Sequence, residues 1–128
     1  MNLPALALSL PLVFMLHDFE ELIGFQPWLR ANRAALLQRF PRLAPRLVAH
    51  LQRMAGAPFT YSVFLLFALL TLLSCYAALC GDYRLWYGAL AVFTAHLLVH
   101  LLQWALWRRY IPCIITSLLA LPYGIWAL

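Results

Sequence analysis

The chain contains no lysine, and only four of its 128 residues are acidic. Charged residues make up 10% of the sequence against 66% hydrophobic, whereas soluble domains carry about 25% charged residues. Such a chain cannot surround a core with a water-facing surface, so an ordinary soluble domain is excluded. Cysteine is scarce as well. Cys75 and Cys80 lie five apart on one predicted helix, and Cys113 belongs near the opposite membrane face, too far away for a bridge. No disulfide framework is expected, and all three read as small packing residues. The N-terminus lacks a charged leader and a small-residue cleavage site, so its apolar stretch reads as retained rather than removed.

What is abundant is apolar sequence. Stretches of about 20 mostly apolar residues span a hydrocarbon core about 30 Å thick. Three clear ones and a shorter fourth run over 3–25, 58–80, 85–107 and 110–128. The expected fold class is all-α: a polytopic membrane helix bundle with four transmembrane helices, forming one integral membrane domain over 1–128. Pro4 suits a first helical turn, Pro11 is expected to kink the first span, and Gln26-Pro27 to end it. The basic charge is nine arginines, giving a pI near 9.6. They sit between the spans, where lipid headgroups rather than nucleic acid are their partners. Six fall in the 26–57 loop, two follow span three, and only Arg84 lies on the other side. That bias predicts a cytoplasmic 26–57 loop, both termini outside, and a bacterial inner-membrane location. Within the loop, leucines among the arginines suggest short amphipathic surface helices, broken at Pro41 and Pro45.

Three of the four acids are concentrated in His17-Asp18-Phe19-Glu20-Glu21, near the end of span one. Carboxylates in apolar surroundings are costly and mark a site by default. At about 100° per residue, His17, Glu20, Glu21 and Gly24 share one helical arc, with Asp18 and Phe19 pointing elsewhere. Gly24 lets a neighbouring helix approach, and span three is the one expected there. In span three, Phe93, His96, His100, Gln103 and Trp107 form a stripe, and helical rise puts His100 at the depth of His17, with His96 one turn deeper. Bundles build metal and ligand sites from facing side chains of this kind. Other polar and aromatic residues have plainer readings. His50, between Arg46 and Arg53, reads as interfacial, and the tryptophans at 28, 86, 104 and 107 as interface anchors. Thr116 and Ser117 read as bonding their own backbone.

The His17–Glu21 segment resembles the signature of the HXXEE family, small multi-spanning membrane proteins named for that motif. A later region is also similar. His100-Leu101-Leu102-Gln103, then Arg109-Tyr110-Ile111-Pro112 and Thr116, resembles the family's later histidine followed by arginine, tyrosine, proline and threonine. The family pattern leads to the expectation of a glycine after that proline and an asparagine four residues before the histidine. Here Cys113 and His96 stand at those positions. The resemblance covers most of the chain and implies a family and an enzyme-like site without naming a reaction.

Several functions are compatible with this pattern. His17, His100, His96 and Glu21 form a ligand set for a divalent metal, zinc or iron, with Glu20 and Glu21 as catalytic acid–base groups. A ferritin-like di-iron site wants about four glutamates and is disfavoured. Without a metal, the same carboxylates can move protons in isomerisation or cyclisation of a lipophilic substrate. A proton-coupled transport or binding protein is a third reading, and a structural membrane subunit a fourth. Substrate, reaction and oligomeric state are not legible.

Overall fold

A computed structural model of the chain describes residues 2–128. Among them are five helices and no strand: α1 (Leu3–Arg39), α2 (Ala44–Met54), α3 (Ala57–Cys80), α4 (Arg84–Trp107) and α5 (Ile114–Ala127). The all-α class expected from the sequence is therefore observed. Two of the helices, α3 and α4, are long and apolar enough to cross a membrane.

α1 opens on Asn2, whose side chain accepts the Ala5 N–H at 3.1 Å, with Pro4 in the first turn. It does not stop at Gln26-Pro27 as the sequence suggested, but runs through Pro11 and Pro27 to Arg39. A proline inside a helix removes one donor and costs about 3 kcal/mol in isolation. Tertiary packing offsets that cost here. Past Pro27, Leu29 is buried against Ala44 and Val48 of α2, and the Trp28 indole N–H donates to the Tyr110 carbonyl at 2.8 Å. The 26–57 segment is thus no loop but a helical hairpin, formed by the second half of α1 and by α2. The break at Pro41 falls where expected. The one at Pro45 does not, because Pro45 lies in the first turn of α2, where its missing N–H has no helical partner to lose. α2 has two faces. Ala44, Val48 and Leu51 turn inward, while Arg46, His50, Gln52 and Arg53 face out.

Gly56 (φ 86°) and Gly81 (φ 73°) take backbone shapes that favour glycine and bound α3 at both ends. The short turn into α4 is held by Asp82, whose Oδ1 accepts the Arg84 N–H at 3.1 Å. α4 ends at Trp107 before the arginine pair, as the sequence indicated. The last helix begins at Ile114, four residues after the expected 110, because Arg108 (φ 58°) and Cys113 (φ 80°) both take the left-handed conformation. Its 14 residues give a length of about 21 Å at 1.5 Å per residue.

α1 packs chiefly on α3, α5 chiefly on α4, and α1 also meets α4 and α5. Leu6, Leu10, Phe14, Trp86, Leu90 and Leu97 lie in one buried cluster between them. Trp86, expected as an interface anchor, is instead 1% exposed, and its indole N–H reaches the Ala7 carbonyl at 3.2 Å. The early helical position of Trp86 puts it against the small Ala7, where a large ring fits. Gly124 closes α5 on α4 so tightly that a Cβ there would stand 2.5 Å from Thr94 Oγ1.

Candidate metal centre

His17 comes from α1, in the same buried face as Leu10 and Phe14. It is 1% exposed, and its ring lies edge-on to Phe93 of α4. From α4, His96 and His100 are one turn apart, so their rings project from a single helical face. Their Nε2 atoms stand 2.8 Å apart. The His17 ring lies 5.4 Å from that of His96 and 5.2 Å from that of His100, centroid to centroid. Glu21, one turn after His17, completes the group. Each of His17, Glu21, His96 and His100 offers one ligand atom, and these atoms all lie within 4.8 Å of one another. The four residues anticipated as ligands are therefore brought together by the fold.

The tautomers follow from the hydrogen bonds. The Thr116 hydroxyl donates to Glu20 Oε2 at 2.7 Å. Having spent its proton there, it accepts at 3.1 Å from His17 Nδ1, which must then carry the ring hydrogen. Nε2 of His17 is left as a bare lone pair, buried and without any hydrogen-bond partner. On α4, His100 Nδ1 faces the Gln103 amide oxygen at 3.0 Å and Cys113 Sγ at 3.0 Å. An amide oxygen only accepts, so His100 also presents an unprotonated Nε2, and His96 supplies the hydrogen between the pair. In His17 one ring nitrogen is fixed and the other is free to ligate, the arrangement that metal-binding histidines use. Three imidazoles and a carboxylate suit a borderline divalent ion such as zinc or iron.

Glu20 lies beside this group rather than in it. Its carboxylate accepts the Tyr110 hydroxyl at 3.0 Å, the Thr116 N–H at 2.8 Å and the Thr116 hydroxyl. The Thr116 N–H belongs to the first turn of α5, where helical donors lack internal partners and a negative charge is favoured. Glu20 thus caps a helix from another part of the chain. Thr116 bonds across helices, and not only to its own backbone as the sequence suggested, because Glu20 provides a stronger acceptor than a carbonyl. Gly24 eases a different approach from the one anticipated. A Cβ there would lie 3.1 Å from Pro112 Cβ, so the glycine admits the 110–112 linker rather than α4. Asp18, expected to point away, is 4% exposed, with Oδ1 4.0 Å from His17 Nε2. α1 packs against α3, α4 and α5, so its buried arc is wider than an ordinary apolar stripe. Phe19 points outward as expected, and His50 is exposed.

A family described as "Protein of unknown function with HXXEE motif" matches residues 8–127. The chain belongs to the HXXEE family. Nothing among curated proteins or solved structures matches it significantly. In the geometry above, the three HXXEE positions take separate tasks: His17 and Glu21 face the cluster, and Glu20 ties α1 to the start of α5. Tyr110 and Thr116 were visible in the sequence as part of the second family-like region. Their partnership with Glu20 was not, because neither spacing nor polarity tells which carboxylate a distant hydroxyl will meet.

Proposed function

We propose that this HXXEE protein is an integral membrane enzyme that holds one zinc or iron ion between His17, His96, His100 and Glu21 and acts on a lipophilic substrate. The observation that carries the reading is the lone pair of His17 Nε2, 1% exposed residue and all, without a partner. A buried acceptor left bare costs about 1–3 kcal/mol, and an ion would remove that cost. A bound ion of this kind supplies Lewis acidity and an acidified water. The chain's own part is to orient the imidazoles through Thr116 and Gln103, to pack the His17 ring against Phe93, and to hold Glu21 at the cluster. Glu20 serves as a positioning residue in this scheme, and Glu21 is the carboxylate placed to take a proton.

The same reading has four spans in the inner membrane, with the α1–α2 hairpin on the cytoplasmic side, α2 lying on the membrane surface, and both termini outside. Support comes from the outward faces of α3 and α4, where Leu66, Leu69, Leu72 and Val92 are exposed, a pattern suited to lipid and not to water. The eight-to-one arginine bias supplies the orientation. α5 is short for a span, and the linker before it makes up the remaining depth.

A metal-free acid–base site is the second reading, favoured by the 2.8 Å Nε2–Nε2 contact, which one shared hydrogen satisfies without an ion. Metal content of protein purified without chelators separates the two. One zinc or iron per chain, lost in His17→Ala and His100→Ala, supports the metal centre. No stoichiometric metal in the wild type sinks it in favour of the acid–base site.

A further inference from the structure

A cavity of about 410 Å³ opens directly off the cluster. Glu21, His100, Gln103 and Cys113 form its polar lining. Everything beyond is apolar: Phe25 and Trp28 of α1, Val48 and Leu51 of α2, Phe59 of α3 and Trp107 of α4 all border it. Leu43 and Leu47, 72% and 53% exposed, line its outer part. A water-filled entrance would not be rimmed by leucines, whereas an entrance from the lipid phase would be. The volume falls in the ~300–1,000 Å³ range of small-molecule sites. Arg39 is already committed nearby, donating to the Leu106 carbonyl at 3.0 Å and lying over the Trp107 ring, so it is not a spare partner for a charged group at the rim.

We infer that this chamber binds a single-chain amphiphile, of the fatty carboxylate, alcohol or aldehyde class, with its oxygen-bearing head at Glu21 and His100 and its hydrocarbon tail against α2. The inference deepens the reading of the cluster as a metal-dependent site, since it names what would meet the ion. The tail's binding depends on the apolar walls alone, so it can fail or hold separately. A two-chain phospholipid does not suit a chamber with one polar end and this volume. Amphipathic α2 is then a wall of the substrate site and not only a surface anchor.

The test uses full-length protein in lipid nanodiscs and a 12-carbon fatty carboxylate with a photoreactive diazirine at the tail end. Labelled peptides are mapped by mass spectrometry, and zinc per chain is measured on the same samples. Labelling should saturate, be displaced by unlabelled dodecanoate, and concentrate within residues 36–51. Leu47→Trp, which fills the outer part of the chamber from an exposed position of α2, should reduce it at least ten-fold while zinc content and helicity stay unchanged. Leu51→Phe provides a milder filling variant and should give an intermediate loss. His17→Ala should lose zinc and keep tail labelling. The inference is overturned if labelling is spread evenly over the lipid-facing Leu66, Leu69 and Leu72, if it ignores both filling variants, or if the tail probe marks residues 21 and 100 instead. Wild type that labels as expected but holds no zinc upholds the chamber and refutes the metal centre. Wild type that holds zinc without labelling at 36–51 does the reverse.

Discussion

Thr116 Oγ1 stands 2.7 Å from Glu20 Oε2 and 3.1 Å from His17 Nδ1, so one hydroxyl links a carboxylate to the ring it orients. The link crosses from α5 to α1. It couples a helix cap to the tautomer of a buried histidine, two features that sequence spacing presents as unrelated.

Removing that hydroxyl should therefore damage metal binding without touching any ligand. Thr116→Val keeps the shape and deletes the bridge. We expect metal affinity to fall ~10–100-fold, the usual effect of losing a ligand's supporting partner. Thr116→Ser should retain most of it. Competition titration with a chromophoric chelator measures this, and equal affinity in the valine variant would remove Thr116 from the site.

The two adjacent glutamates should separate by phenotype. Glu20→Gln weakens two hydrogen bonds to Thr116 at the start of α5 and one to Tyr110 in the linker before it, and should cost about 1–3 kcal/mol of stability. Glu21→Gln should instead lower metal occupancy or turnover with little change in unfolding. Thermal melts in detergent, read beside metal content, distinguish the variants. Identical profiles for the two would contradict the division of roles.

Cys113 holds φ 80°, a region that costs a residue bearing a Cβ roughly 1–2 kcal/mol relative to glycine. The family resemblance leads one to expect glycine there. Cys113→Gly should accordingly be more stable than Cys113→Ala by about 1 kcal/mol, since both lack the thiol and only one keeps the Cβ. Denaturant or thermal unfolding of the pair gives the answer, and a more stable alanine variant would rule out the strain.

Orientation is accessible to labelling. In a variant without its native cysteines, Ala34→Cys lies on an exposed part of α1. An impermeant maleimide should leave it unlabelled on intact cells and label it in inside-out vesicles. Labelling from outside would reverse the topology drawn from the arginines.

Much of the cluster is legible in the sequence. Helical periodicity places His17 and Glu21 on one face and His96 and His100 on another, and rise per residue puts them at similar depth. Periodicity cannot identify the neighbour, however. Glu20 sits about 60° from His17 on the helical wheel, which is enough to hand it to α5, while Asp18, expected to point away from the cluster, is buried. Gly24 announced a close approach but not of what. The persistence of α1 past Pro27 was hidden for a related reason. A proline signal is local, and the packing of Leu29 against Ala44 and Val48 that overrides it belongs to residues well separated along the chain.

The position of Thr116 in chain order has a consequence for biogenesis. A nascent chain that has emerged as far as Trp107 already carries all four side chains of the cluster, on α1 and α4. It does not yet carry the hydroxyl that fixes the His17 ring, nor the helix start that Glu20 caps. α5 is the latch of this cluster, so on the proposed metal reading an ion would be held fully only once α5 has folded onto α1, and not when α1 and α4, which carry the four side chains, first meet.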